Sequence, residues 1–474
     1  MVQLHVFLFP MMARGHMIPT LDMAKLFSSH GVKTTLITTP LRAPTFTKAI
    51  EATRQLQGNE IAIRVIEFPV EKAGLPEGCE SLDKITDDQI PNFIKATFML
   101  QEPLEQLLKE YHDHPSCLVA DMFFPWATEV AEKFCIPRLI FHGTSYFALC
   151  VSENMRKFKP FKNVSNDSEP FLVPNLPHQI MLTRNKVPLY DQDDIETDVT
   201  KLMRQIKESE NKSFGVIINS FYELEPEYSE YYRKNLERRS WHIGPLHLCN
   251  GRLNLNSSMI DEHQSLKWLE PKKQNSVIFV CFGSISNFTA DQLREIAIGL
   301  EASGQEFIWV VRKTEDEKEC DHQNWLPEGF EERMKDRGLI IRGWAPQVKI
   351  LENTAVGSFI THCGWNSTLE AVCAGKPMVT WPLFAEQFFN EKLVTEILRI
   401  GVGVGSKKWS RTTSEVVKSE EIAKAVMEVM VGEEATELRD RALVLMEMAM
   451  KAVEDGGSSS SDLRALIEEL SNPT

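Results

Sequence analysis

The amino-acid sequence predicts an α/β protein built as two domains of alternating strands and helices. Three observations support that class. In both halves, short β-branched or aromatic runs of strand length lead into glycine-containing or acidic turns and then into amphipathic segments. The chain has 474 residues and a mass of 54.1 kDa, more than one typical hydrophobic core accommodates. Between the halves, Gly244 to His263 (GPLHLCNGRLNLNSSMIDEH) is rich in Asn, Gly and Ser and thin in periodicity, which marks a linker. The expected division is 1–243 for the first domain, 244–263 for the linker, 264–455 for the second domain and 456–474 for a terminal helical segment.

The first half opens with LHVFLFPMMARGHMIPTLDMAKLF. It reads as a buried strand from Leu4 to Phe9, a glycine-containing loop, and an amphipathic helix from about Pro19. His16 falls in that loop, at the C-terminal edge of the first strand, where ligands bind in open α/β sheets. A further strand, CLVAD, ends at Asp121, with FFPWATEVAEKF starting a helix behind it. Two parallel strands can bring the strand-end side chains His16 and Asp121 together despite the 105 residues between them (121 − 16). An Asp that accepts from one imidazole nitrogen fixes the tautomer and stabilises the imidazolium formed when the other nitrogen takes a proton. Alternation continues to about Ile243, interrupted by a long polar and acidic insertion from Asn163 to Asn211.

The second half begins with the strand NSVIFVCFGS, ending at Gly283-Ser284. Thr289 and Gln292 then form a T-x-x-Q capping box for a helix with Leu293, Ile296, Ala297 and Leu300 on one face, a structural feature. EFIWVVR is the next strand. From Trp344 to Gln387 the chain reads WAPQVKILENTAVGSFITHCGWNSTLEAVCAGKPMVTWPLFAEQ. This stretch supplies an aromatic loop, a helical segment, the buried strand VGSFITH, a sharp Cys363-Gly364 turn, and a helix opened by Asn366 and Ser367 that stops at Gly375. A helix N-terminus at a sheet edge suits a diphosphate, with His362, Asn366 and Ser367 as added donors. Trp344 offers a flat face for a uracil ring, Glu370 an acceptor for ribose hydroxyls, and Glu386 and Gln387 partners for sugar hydroxyls. Taken singly, each has a bland reading. Ser367 and Glu370 spell an S-x-x-E capping box, Trp344 suits a core or rim, and His362 suits a satisfied strand end. Their order is what points to a site. Helices follow at about Glu420 to Val431 and Glu434 to Val453, then a GGSSSS break and a last helix from Asp462 to Leu470.

Across its full span, Trp344 to Gln387 resembles the signature box of plant secondary-product UDP-glycosyltransferases, and segments such as SNFTADQLREIAIGLEASGQEFIWVVRK, FFNEKLVTEIL and HGTSYFALCV resemble the phenolic, scopoletin-type branch. The resemblance implies the GT-B arrangement of two Rossmann-like βαβ domains with parallel sheets facing across a cleft, the last helix packing back on the first domain. It implies that Trp344 stacks on uracil and that Ala345 and Gln347 contact base or ribose. Glu370 would hold the ribose; His362, Asn366 and Ser367 the phosphates; Trp365, Glu386 and Gln387 the sugar. Ser284 resembles a position that contacts the nucleotide, and Thr144, in FHGTS, one that touches the sugar. His16 and Asp121 match the catalytic pair. Glu386 stands where the family usually has Asp, one methylene further out, and Gln387 resembles the glucose-preferring version of the box. Met11, Phe123, Phe124, Phe147 and Ala385 are candidates for the acceptor pocket by their nearness in sequence to these residues.

The implied activity is inverting transfer of glucose from UDP-glucose to a hydroxyl of a coumarin, phenylpropanoid or flavonoid, giving a β-O-glucoside. The alternatives are a triterpenoid or steroid acceptor, and an inactive UDP-sugar-binding protein. UDP-glucose is the donor substrate, with no tightly bound cofactor and no metal expected. A net charge of −15 and a pI near 5.4 argue against nucleic acid or an anionic membrane as partner. Nine cysteines without a C-x-x-C pair suit a reducing, cytoplasmic setting, no run reaches membrane-spanning length, and a monomer is expected. A dinucleotide enzyme would need G-x-G-x-x-G after the first strand, where only Gly15 stands, and GVGVGS at Gly401 breaks that spacing. Asp191-Gln192-Asp193 spells a D-x-D metal pair, but in a polar loop before a helix it reads as a solvated turn.

Overall fold

The computed structural model describes residues 3–57, 61–111, 115–192, 196–249, 264–283, 286, 288–311, 325–411 and 415–472. The chain divides into two compact units. One comprises Met1–Tyr146, Leu189–Leu255 and Lys451–Thr474, the other Phe147–Pro188 and Asn256–Met450.

Strands run in chain order as β1 (His5–Phe9), β2 (Lys33–Thr38), β3 (Ile61–Val65), β4 (Cys117–Asp121), β5 (Arg138–His142), the short antiparallel hairpin β6 (Pro170–Leu172) and β7 (Met181–Thr183), β8 (Gly215–Ile218) and β9 (Ser240–His242). In the first unit a parallel sheet has the order β3-β2-β1-β4-β5-β8-β9 among the described residues. Every residue of β1, β4 and β5 is buried. Both faces of these strands are covered, so they read as continuous apolar runs rather than alternating ones. The two-residue period survives in what each face touches. Val6 and Leu8 join one core with Leu21 and Phe27 of the helix Arg14–Ser29, while Phe7 and Phe9 join another with Phe93, Leu104 and Val130. Leu463, Leu466 and Leu470 of the terminal helix Ser458–Ser471 complete the first of these cores.

Three local expectations shift. The first helix begins at Arg14 rather than near Pro19, so His16 lies in a helical turn and not in a loop. Pro19 lies inside the helix, past its first turn, where it has no N–H to give to the carbonyl four residues earlier. The polar insertion contains the unexpected β6–β7 hairpin ahead of the helix expected after the Asp191-Gln192-Asp193 turn, which runs from Asp198 to Lys212 and whose Thr197 cap accepts from the Thr200 N–H at 3.2 Å. The terminal helix starts at Ser458 behind a Gly457 cap, because the serines serve as its first turn instead of a break. Residues 250–263 of the expected linker lie outside the described residues.

The second unit carries β10 (Val277–Cys281), β11 (Glu306–Val311), β12 (Gly338–Arg342), β13 (Val356–Thr361), β14 (Met378–Thr380) and β15 (Gly401–Gly403). They form a parallel sheet of order β12-β11-β10-β13-β14-β15. Order reverses about β10 and β13, a topological switch point of the kind that opens ligand crevices at strand C-termini. Thr289 caps the helix Ala290–Ala302 by accepting from the Gln292 N–H at 3.2 Å. The Gln292 side chain does not close the expected capping box; it is buried and bonds both backbone groups of Val417, at 2.9 and 2.7 Å.

Candidate active site

In the first unit, β1 and β4 are neighbours with Phe9 opposite Ala120. That register sets Asp121 beside the turn that follows β1. Asp121 Oδ2 lies 2.7 Å from His16 Nδ1, and its Oδ1 accepts the Phe123 N–H at 3.0 Å. The Asp121 side chain is fully buried and that of His16 is 23% exposed, so the imidazole spans from core to surface. A carboxylate at this distance requires the Nδ1–H tautomer and leaves the Nε2 lone pair as the basic position. The His16 carbonyl accepts from Thr20 Oγ1 at 2.8 Å, and Arg138, fully buried, donates to the Asp121 carbonyl at 3.1 Å.

The Phe123 ring meets His16 edge-on with centroids 5.6 Å apart. Phe124 is instead fully buried, packed on Phe9 and Trp126, and has no surface to offer a ligand. Met11 and Phe147 are also buried. Thr144 Oγ1 is buried without a hydrogen-bond partner among the described residues.

In the second unit, β13 ends at Thr361, and Cys363 takes a left-handed φ of 62° to turn the chain into the helix Trp365–Cys373. That helix ends as expected. Gly375 has φ 64°, its N–H reaches the Val372 carbonyl at 3.0 Å, and the Lys376 N–H reaches that of Ala371 at 2.9 Å. At its start, Gly364 is the cap residue and no side chain caps the first turn, so the S-x-x-E reading of Ser367 and Glu370 does not apply. Both residues instead bind Gln347, whose Nε2 donates to Glu370 Oε2 at 2.6 Å and to Ser367 Oγ at 3.1 Å.

The His362 ring sits at this helix start against two glycines. A Cβ on Gly283 would come within 2.8 Å of it and one on Gly364 within 2.4 Å. Burial pushes its pKa down to about 4, so the ring is neutral near pH 7, and its Nδ1 has no hydrogen-bond partner among the described residues. A neutral donor at a helix start can hold an anion without a buried counter-charge. Trp344 stands 62% exposed at the rim, Ala345 is half-buried beside it, and Trp365 and Asn366 lie in the first helical turn. Ser284 lies outside the described residues, as does Asp193 of the D-x-D pair; Asp191 is buried in the short helix Leu189–Gln192.

Glu386 and Gln387 start the helix Gln387–Lys392. Gln387 Oε1 accepts the N–H groups of Leu383 and Phe384 at 2.9 and 3.0 Å, which fixes the amide orientation and turns Nε2 away as a donor. Asn390 was not singled out from the sequence. Its Nδ2 donates to the Cys363 carbonyl at 2.9 Å and to Glu386 Oε1 at 3.3 Å, tying the Cys363 turn to the carboxylate. Its spacing of four from Glu386 on a helix was the available signal. Gly283 and Gly364 were likewise visible as turn residues but not as walls for His362.

One parallel-sheet unit thus holds a histidine–carboxylate pair, and the other a buried neutral histidine at a helix start beside a strand-end turn. Residues 253–437 match the family model described as UDP-glucoronosyl and UDP-glucosyl transferase. The chain is 59% identical to scopoletin glucosyltransferase of Nicotiana tabacum over 99% of its own length and 98% of the relative's. It is 55% identical to anthocyanin 3'-O-beta-glucosyltransferase of Gentiana triflora over 100% and 99%. A crystal structure of a Glycyrrhiza uralensis transferase complexed with glycyrrhetinic acid 3-O-monoglucuronide superposes with a TM-score of 0.91 at 40% identity, covering 99% of this chain and 96% of that one. A Medicago truncatula transferase complexed with UDP-glucose gives 0.81 at 27% identity, covering 99% of each. The chain belongs to the UDP-glycosyltransferase family, has its two Rossmann-like GT-B domains, and is a glycosyltransferase that uses a UDP-sugar donor. Among the described residues no helix is long and apolar enough to cross a membrane.

Proposed function

We propose that the protein transfers glucose from UDP-glucose to a hydroxyl of a small phenol, with inversion, and that His16 is the base. The His16–Asp121 hydrogen bond of 2.7 Å is the observation that carries this reading. A phenol has a pKa near ~10, so a neutral imidazole that takes its proton during attack raises the nucleophilicity of the oxygen near pH 7. The acceptor oxygen bonds to the anomeric carbon while the bond from that carbon to the UDP oxygen breaks. UDP leaves with the electron pair, the phenolic proton goes to His16 Nε2, and Asp121 stabilises the resulting imidazolium. One displacement on an α-linked donor gives a β-glucoside.

For the donor, Trp344 is assigned to the uracil, Ala345 and Gln347 to base or ribose, and Glu370 to the ribose. The Gln347–Glu370 bond then pre-orients the acceptor oxygen that the ribose needs. His362, Asn366, Ser367 and the helix N-terminus take the diphosphate. Trp365, Glu386, the Gln387 amide donor and Thr144 take the glucose. Phe123, beside His16, is assigned to the acceptor. The charge rests on UDP and the helix end, so the reaction needs no metal, and EDTA leaves the rate unchanged. One chain supplies every assigned group, so a monomer suffices. None of the eight described cysteines is in a disulfide, which fits a reducing cytoplasmic setting.

The names of the relatives favour a phenolic acceptor: scopoletin, an anthocyanin and a flavonoid. The neighbour that binds glycyrrhetinic acid 3-O-monoglucuronide makes a triterpenoid the second reading. Mass spectrometry of products from UDP-glucose and a mixed panel of coumarins, flavonoids and triterpenoids tests both. Phenolic monoglucosides are expected; products from triterpenoids alone would replace the first reading by the second.

A further inference from the structure

The turn Pro382 to Ala385 delivers Glu386 and Gln387, and it is held from outside by a segment without regular structure. Ala385 has a left-handed φ of 52°, a conformation that an L side chain disfavours and that needs external support. Its carbonyl accepts the indole N–H of Trp409 at 3.0 Å. Next to it, the Ser410 N–H donates to the Leu383 carbonyl at 2.8 Å and Ser406 Oγ to that of Pro382 at 2.8 Å. The Arg411 guanidinium lies 5.5 Å from the centre of the Phe384 ring. Trp409 is itself anchored, its backbone N–H donating to the Asn185 carbonyl at 2.7 Å. Leu383, Phe384 and Ala385 thus have carbonyl, ring and carbonyl held from one side, while the N–H groups of Leu383 and Phe384 are held from the other by Gln387 Oε1.

We propose that Trp409 is a positioning residue for donor-sugar selectivity, fixing through the Ala385 carbonyl the direction in which Glu386 and the Gln387 amide meet the hexose. The inference rests on the reading of Glu386 and Gln387 as sugar contacts. Glucose and galactose differ only in the orientation of one hydroxyl, so discrimination depends on the aim of the donors and acceptors rather than on their presence. A turn released at Ala385 still offers the same groups but aims them loosely. UDP itself is held elsewhere, by the Trp344 rim and the start of the helix Trp365–Cys373.

The test compares wild type, Trp409→Phe and Gln387→His in the full-length protein. Trp409→Phe keeps an aromatic ring and removes the donor together with the smaller ring of the indole. The ratio of kcat/KM for UDP-glucose to that for UDP-galactose should fall roughly tenfold, while inhibition by UDP stays within about twofold of wild type. An unchanged ratio, or an equal loss on both donors, overturns the inference. Gln387→His separates the two readings. If it shifts the ratio and Trp409→Phe does not, the role of Trp409 alone fails; if neither does, the sugar reading of the turn fails with it. Should Trp409→Phe yield no folded protein, Ser406→Ala, which removes the neighbouring bond to Pro382, decides by the same ratio.

Discussion

Gly364 has an ordinary φ of −60°, so an alanine there carries no backbone strain, yet its Cβ would stand 2.4 Å from His362 Nε2. Gly364→Ala should therefore displace the imidazole without unfolding the domain. Calorimetric titration is expected to show UDP affinity lower by at least roughly tenfold, the scale of one lost hydrogen bond to a charged group, with the melting temperature little changed. Wild-type affinity would remove His362 from the anion site. His362 itself was legible in the sequence because it ends a β-branched strand before a sharp turn. The glycines that wall its ring were not, since Gly283 comes from a different strand end and only the fold brings it near. The same holds for Gln347, whose bonds to Ser367 and Glu370 span 20 and 23 residues. His16 and Asp121 were legible as a strand-end pair whose side chains could bond, and the adjacency of β1 and β4, which the sequence does not record, is what brings them to 2.7 Å.

The terminal helix Ser458–Ser471 illustrates what periodicity can and cannot show. Leu463, Leu466 and Leu470 recur at helical spacing and are all buried in the first unit's core. Asp462, one residue before the first of them, takes a 2.6 Å bond from Arg233 and a 3.1 Å bond from the His242 N–H. Leu466 is fully buried, so Leu466→Ala should cost about 2–5 kcal/mol of stability, read from urea unfolding of the full chain. A cost below ~1 kcal/mol would mean that the helix is only loosely docked. The apolar pattern announced this helix, but its partner strand β9 is more than two hundred residues away and could come only from the resemblance. Serines at its start looked like a break because their hydroxyls compete for backbone groups, the same property that suits them to a first turn. The helix Asp198–Lys212 was legible only as a helix after the Asp191-Gln192-Asp193 turn, without bounds, because its stripe of Leu202 and Ile206 is narrow and lies among abundant charge.

At the scale of the molecule, His5, His247 and His362 are held neutral. Burial is the main cause in each, aided at His5 by Lys33 and Arg64, and each pKa falls from 6.5 to about 4. Between these values the unfolded chain binds more protons than the folded one, so stability falls as pH drops through 6.5 toward about 4. The thermal midpoint should decrease from about pH 7 to about pH 5, and saturating UDP should restore part of the loss. A midpoint that rose on acidification would contradict the buried, neutral state of these rings. Two domains and parallel sheets were legible because buried strands and amphipathic helices alternate throughout. The membership of Phe147–Pro188 in the second unit was not, because no local pattern records which sheet a connecting segment joins. The proposed transfer depends on His16 as the base. Initial rates with UDP-glucose and a phenol that the wild type glucosylates, compared among wild type, His16→Ala and Asp121→Asn, test it most directly. Turnover should fall at least ~100-fold in His16→Ala and substantially in Asp121→Asn, with UDP affinity within about twofold of wild type. Undiminished turnover by His16→Ala would contradict it.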